Sequence, residues 1–130
     1  MNNKGHLFAR ETFNGESPVA IAMSELSCLY RPHPAIRETV IRSLKEGGLI
    51  NPLIVVHRDT LGEKLGYYIE KEFVQFPNAR WFVYTGNNRY WAARQLGYRS
   101  IDCIVCHDLK KLPKWEEQMY IHPRDYDKND

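Results

Sequence analysis

Residues 81–97 read Trp81-Phe82-Val83-Tyr84-Thr85-Gly86-Asn87-Asn88-Arg89-Tyr90-Trp91-Ala92-Ala93-Arg94-Gln95-Leu96-Gly97, and the fold class turns on them. The first four residues are an unbroken apolar run of strand length. The chain then passes through Gly86-Asn87-Asn88, residue types that favour tight turns. A helix is expected from about residue 89 to 96, stopped by Gly97. A third strand follows at Ile101-Asp102-Cys103-Ile104-Val105-Cys106.

Working upstream, the helix expected over 36–46 carries Ile36, Val40, Ile41 and Leu44 at helical spacing and stops at Gly47-Gly48. Leu49-Ile50-Asn51-Pro52 turns into Leu53-Ile54-Val55-Val56, a continuous apolar run suited to a buried strand. Val19-Ala20-Ile21-Ala22 reads as a short strand, and Ser24 is placed to cap one helical turn at 25–27. Residues 30–34 hold two prolines and exclude regular helix. Residues 57–80 mix charges, glycines and aromatics without a sustained period. They are expected to form a hairpin insertion with strand at Tyr67-Tyr68-Ile69. The predicted order is strand, helix, strand, insertion, strand, helix, strand: an α+β (mixed α/β) domain with a small mixed sheet. The domain is expected to span 18–110, after a loose arm at 1–17 and before a short helix and tail at 111–130.

Composition narrows the function. The chain has 130 residues, one domain's worth, with 43% hydrophobic and 26% charged residues, as in ordinary globular proteins. No apolar run approaches the roughly 18 residues needed to span a bilayer, so no membrane partner is expected. Met1-Asn2-Asn3-Lys4-Gly5-His6 has no apolar stretch behind it and does not read as a secretory signal. A cytoplasmic location is the expectation. Eighteen basic against 16 acidic residues leave a net charge of +2, too little for nucleic-acid binding by bulk charge. A local basic face is still conceivable, because Arg80, Arg89, Arg94 and Arg99 fall close together in sequence. Three irregularly spaced cysteines argue against a disulfide framework.

The turn at Gly86 has its own chemistry. A helix start leaves backbone N–H groups without partners and carries partial positive charge. Glycine admits a ligand close to the backbone, Asn87 and Asn88 cap the helix or offer amide donors, and Arg89 presents a planar fork suited to two phosphate oxygens. Together they make an anion cradle. The competing reading is a plain tight turn with a helix cap.

The stretch Gly86-Asn87-Asn88-Arg89-Tyr90-Trp91-Ala92-Ala93, with Gly97 and the apolar strand beyond, resembles the second conserved box of ParB-like domains. Arg37, the helix to Glu46, and Gly48-Leu49-Ile50-Asn51-Pro52-Leu53-Ile54-Val55 resemble the first box. Sulfiredoxins share that fold: Tyr30-Arg31-Pro32-His33-Pro34 is similar to their Arg-Pro-x-Pro segment, and Gly86-x-x-Arg89-Tyr90 to their Gly-Cys-His-Arg-Tyr. The resemblance covers about residues 18–107 and implies a compact ParB/sulfiredoxin-like domain. It also implies a bound nucleotide (ATP, CTP or ADP, with Mg²⁺) whose phosphates meet Gly86, Asn88 and Arg89. Thr39 and Ser43 match two hydroxyl positions of sulfiredoxins and lie on one helix face, where a plain solvated face is the competing reading. Arg37 matches the first-box arginine, and Glu46 would be the carboxylate nearest the phosphates, a candidate base. Two departures count. Asn87 stands where sulfiredoxins have their catalytic cysteine, which excludes their thiol chemistry, and where ParB proteins have an acidic residue, which puts hydrolysis in doubt. ParB's downstream DNA-binding and dimerisation regions have no counterpart.

Other motifs carry less. Cys103-x-x-Cys106 suggests redox or zinc chemistry, but residues three apart in a strand face opposite sides, and no second pair completes a zinc set. His33, His57 and His107 are candidate bases or ligands with no sign of convergence. Trp81, Tyr84, Tyr90 and Trp91 could stack on bases or fill the core; Tyr90, next to Arg89, is the one expected to meet ligand. Three functions follow in order: a nucleotide-binding module, with phosphotransfer or nucleotide hydrolysis open to it; a DNA-binding or DNA-nicking ParB-like nuclease; and a non-catalytic adaptor. A nucleotide is the expected partner, with DNA the alternative and a homodimer left open.

Overall fold

The apolar runs at 53–56, 81–84 and 101–106 form the middle of a six-stranded mixed sheet in a computed structural model, which describes residues 4–13, 15–29 and 34–111. The strands are β1 (Lys4–Leu7), β2 (Val19–Ala22), β3 (Leu26–Cys28), β4 (Leu53–His57), β5 (Trp81–Thr85) and β6 (Tyr98–Cys106). The helices are α1 (Pro34–Gly47), α2 (Arg58–Leu61), α3 (Glu63–Glu70) and α4 (Asn87–Gln95). The α+β class expected from the sequence is therefore the one observed.

Pairing runs β1-β6-β4-β5-β3, with β2 added antiparallel to β6. β1 and β4 are parallel to β6, β3 is parallel to β5, and β4 is antiparallel to β5. Ile101 pairs with both Leu7 and Ile21, and Cys103 with both Leu53 and Val19. β1 and β4 therefore follow one another along one edge of β6, while β2 lies along the other.

Strand alternation divides the apolar side chains between two faces. Leu53, Val55, Val83, Ile101 and Cys103 form one core with Leu44 of α1 and Tyr90, Ala92 and Ala93 of α4. Val56, Phe82 and Tyr84 form the other with Leu61, Leu65 and Tyr68 of α2 and α3. Burying a side chain such as Leu53, which is fully covered, contributes roughly 1.5–3 kcal/mol.

Three expectations are corrected. Residues 57–80 are not a hairpin: they fold into α2 and α3, because Leu61, Leu65 and Tyr68 recur at helical spacing and bury on the second face. Gly62, at φ 52, breaks the helix between them. Against the loose arm expected at 1–17, residues 4–7 form β1, which joins the sheet and buries Leu7. Beyond β1, the Arg10 and Glu11 N–H groups donate to the carbonyls of Leu49 and Ile50. The helical turn comes earlier than expected, a 3-10 turn at Met23–Glu25 without a side-chain cap, and residues 26–28 extend as β3 because all three are buried there and pair with β5. After β6, Leu109–Lys111 form a single 3-10 turn, and the rest of the helix expected there lies outside the described residues. No described helix is long and apolar enough to cross a membrane.

Candidate functional site

The junction between β5 and α4 is built on Gly86, which is the N-cap of α4 at φ 105. Its carbonyl accepts the Tyr90 N–H at 2.8 Å. The helix thus starts two residues before the sequence suggested, and Asn87, Asn88 and Arg89 form its first turn. Their N–H groups point out of the helix end, where the peptide dipoles concentrate positive charge.

The three side chains of that turn take different directions. Asn87 is buried, and its Oδ1 accepts the Leu29 N–H at 3.1 Å, tying α4 to the end of β3. Among the described residues, Asn87 Nδ2 and Asn88 Oδ1 are buried polar atoms without partners. Arg89 folds back over Gly86 and donates from Nη1 to the Asn51 carbonyl at 2.6 Å. A Cβ on Gly86 would collide with Leu53 and lie 2.7 Å from Arg89 Nη2. The close approach that glycine permits here is therefore made by the protein's own guanidinium. Burial lowers the Arg89 pKa, with the nearby Cys103 thiol acting the other way; an arginine keeps its charge nonetheless.

Arg89 forms one wall of a groove of about 260 Å³. Val40 and Ser43 of α1 form another wall, and Leu49, Ile50 and Asn51 of the connection to β4 form the floor. Ser43 and Arg89, assigned to one ligand from the sequence, thus share a groove. Thr39 and Glu46 are exposed on α1 and do not line it. The Arg37 side chain and residues 30–33 lie outside the described residues. Asn51 could not have been found beforehand, because its contribution is a backbone carbonyl, which no residue type announces.

Tyr90 requires a correction. It is fully buried, donates to the Leu26 carbonyl at 3.1 Å and accepts from Arg94 Nη1 at 2.8 Å. The helical spacing that places Arg89 at the groove turns the next residue into the sheet, so Tyr90 cannot stack on a ligand. Tyr84 is also buried, and Trp81 is half-buried with its ring edge-on to His57 at 4.8 Å.

Three of the four neighbouring arginines are held by separate partners. Arg80 pairs with Glu25 at 3.4 Å, Arg94 lies 4.3 Å over the Phe76 ring, Arg89 binds Asn51, and Arg99 is exposed. His57 accepts the Asp59 N–H and caps α2, His107 is exposed, and His33 lies outside the described residues. Among the described residues, no group of three or more His, Cys, Asp or Glu is placed to hold a metal.

Cys103 packs in the first core and Cys106 against the second, as expected of residues three apart in a strand. All three thiols are free. Burial raises the Cys28 thiol well above its ordinary value and pushes Cys103 up to about 12. Only Cys106 is partly exposed, and the thiolate is the reactive form. One thiol, mapping to Cys106, is accordingly expected to react with iodoacetamide at neutral pH, while Cys28 and Cys103 react only in denaturant; two fast thiols by mass spectrometry would contradict this packing.

No family model, curated protein or solved structure matches the chain.

Proposed function

We propose that this is a nucleotide-binding domain related to ParB and sulfiredoxin proteins, with the phosphates at the start of α4 and against Arg89. The observation that carries this reading is the shared groove of Ser43 and Arg89, the latter in the first turn of α4, although Gly86, Asn87 and Asn88 do not line it. Arginine supplies two-pronged contacts to phosphate oxygens, Ser43 a hydroxyl, and Val40, Leu49 and Ile50 an apolar wall for a base or sugar. The described lining offers no carboxylate, so a magnesium ion would be carried by the phosphates rather than by the protein. For the same reason the reading is binding rather than hydrolysis.

The test is calorimetric titration with ATP, CTP, GTP and ADP, each with Mg²⁺. One nucleotide is expected to bind in the micromolar range. Loss of a charged hydrogen-bond donor costs roughly 1.5–3 kcal/mol, so Arg89→Ala weakens binding about 10- to 100-fold, while Arg58→Ala, a charge change at the start of α2, leaves it unaltered. Thermal melting of Arg89→Ala separates loss of ligand from loss of fold. Equal affinity in a folded Arg89→Ala protein, or no heat with any nucleotide, would overturn the assignment.

A further inference from the structure

A second cluster of reactive side chains lies on the sheet face opposite the groove. Leu7, Ile21, Ile101 and Cys103 point into the first core, so strand alternation puts His6, Ser100 and Asp102 on the other side. Asp102 is buried there, while His6 and Ser100 are partly exposed. No described residue of β1 or β2 joins the second core, Ala20 is exposed, and Phe8 is 72% exposed.

Register sets the cluster. His6 lies directly opposite Ser100 across the β1–β6 pair, with Asp102 one step further along the same face. His6 Nδ1 is 2.8 Å from Ser100 Oγ, and Nε2 is 2.5 Å from Asp102 Oδ1. The other carboxylate oxygen, Oδ2, accepts the Ala9 N–H at 2.8 Å. In a neutral imidazole whose Nε2 hydrogen is donated to the carboxylate, Nδ1 presents its lone pair to the Ser100 hydroxyl. A hydroxyl, a base in hydrogen-bond reach of it and a carboxylate orienting that base are the parts of an activated nucleophile.

We propose that Ser100 is such a nucleophile, taking the acyl group of a carboxylic ester, with His6 as general base and Asp102 as the positioning residue. Ser100 Oγ attacks the ester carbonyl as its proton passes to His6 Nδ1. The Oγ–carbon bond forms, the bond to the ester's alcohol oxygen breaks, and the alcohol leaves with the proton from His6. Water then attacks the acyl-serine, its proton goes to Nδ1, and the acid departs as Ser100 regains a hydrogen. Ala22 and Ala20 lie opposite Ser100 and Asp102 on β2 and place only small side chains there. Phe8, edge-on to His6 with ring centroids 4.5 Å apart, adds an apolar wall beside it.

The probe is a fluorophosphonate, whose phosphorus bonds to an activated serine with loss of fluoride, followed by p-nitrophenyl acetate as the ester. The unaltered chain is expected to take one label, mapping to Ser100. Asp102 is the charged group that faces the imidazole from β6, and β2 presents only Ala20 and Ala22 there. Ser100→Ala abolishes labelling, and His6→Gln slows it about 100-fold, the lower range for general-base assistance. Asp102→Asn slows it and displaces the pH profile, because an amide can donate to Nε2 and turn the tautomer round. Absence of label on Ser100 in the folded chain, or labelling spread over several serines and unchanged in Ser100→Ala, overturns the proposal and leaves the cluster as a clamp between β1 and β6. The unaltered chain decides between these outcomes even if a variant fails to fold.

Discussion

As the pH rises from about 9 to 12 and beyond, the folded state is expected to lose on the order of 4 kcal/mol of stability and to unfold cooperatively, with thiol ionisation as a principal cause. Cys103 is raised from an ordinary value of 9.0 to about 12, first by burial, then by the neighbouring Asp102 carboxylate, and against the pull of Arg89. A thiol raised in the folded state stabilises fully below its unfolded pKa, and that stability disappears as the pH climbs towards the folded value. Three pH units correspond to about 4 kcal/mol, comparable with the roughly 5–15 kcal/mol that hold a typical domain together. Cys28 and Tyr90 act in the same direction. Burial raises both, and for Tyr90 the nearby Cys28 adds to the shift while Arg94 opposes it. Urea titrations followed by circular dichroism from pH 8 to 12 would measure the slope. Cys103→Ala is expected to flatten it, whatever the substitution costs at neutral pH, and an unchanged slope would show that Cys103 is not protected from ionisation.

Where the chain is periodic over a long run, the sequence already describes the structure. The strand at 81–84, the glycine turn and the following helix are all present, because apolar runs of that length have to be buried and a helix must begin where Gly86 lets the chain turn. The failures have local causes. Leu61, Leu65 and Tyr68 are spaced for a helix, but Gly62 and Gly66 interrupt the run and conceal it. β1 has four residues and one core side chain, Leu7; its partners on β6 lie at residues 98–101, and a pairing across that separation leaves no mark in the local pattern.

The site was legible in its residue types and less so in their directions. Arg89 and Ser43 reach one groove because α1 and α4 lie side by side over the same face of the sheet. Tyr90 follows the groove residue Arg89 in sequence and Asn87 precedes it by two, yet the helix turns both inward, where Tyr90 bonds to Leu26 and Asn87 to Leu29. The His6–Ser100–Asp102 cluster was invisible for the reason β1 was. Its residues become neighbours only through the register of a parallel pair.

Gly86→Ala is expected to cost about 2–5 kcal/mol and to abolish ligand binding at the groove. A non-glycine residue in the left-handed region loses roughly 1–2 kcal/mol on backbone grounds, and here the added methyl also meets two groups. One is Leu53, which is fully buried and cannot move without disturbing the sheet, so overpacking adds roughly 1–3 kcal/mol. The other is the Arg89 guanidinium, 2.7 Å from the new carbon, which is the end of a flexible side chain and can swing away. Swinging away breaks its bond to Asn51 and withdraws the charge from the groove. The two costs separate in a double-mutant cycle: with Arg89→Ala already in place, Gly86→Ala should cost less than in the parent, yet still about 2 kcal/mol, because Leu53 remains. Denaturation midpoints of the four proteins give the coupling. Strict additivity would mean that Arg89 does not lie over Gly86, and a Gly86→Ala protein as stable as the parent would mean that the turn is built differently.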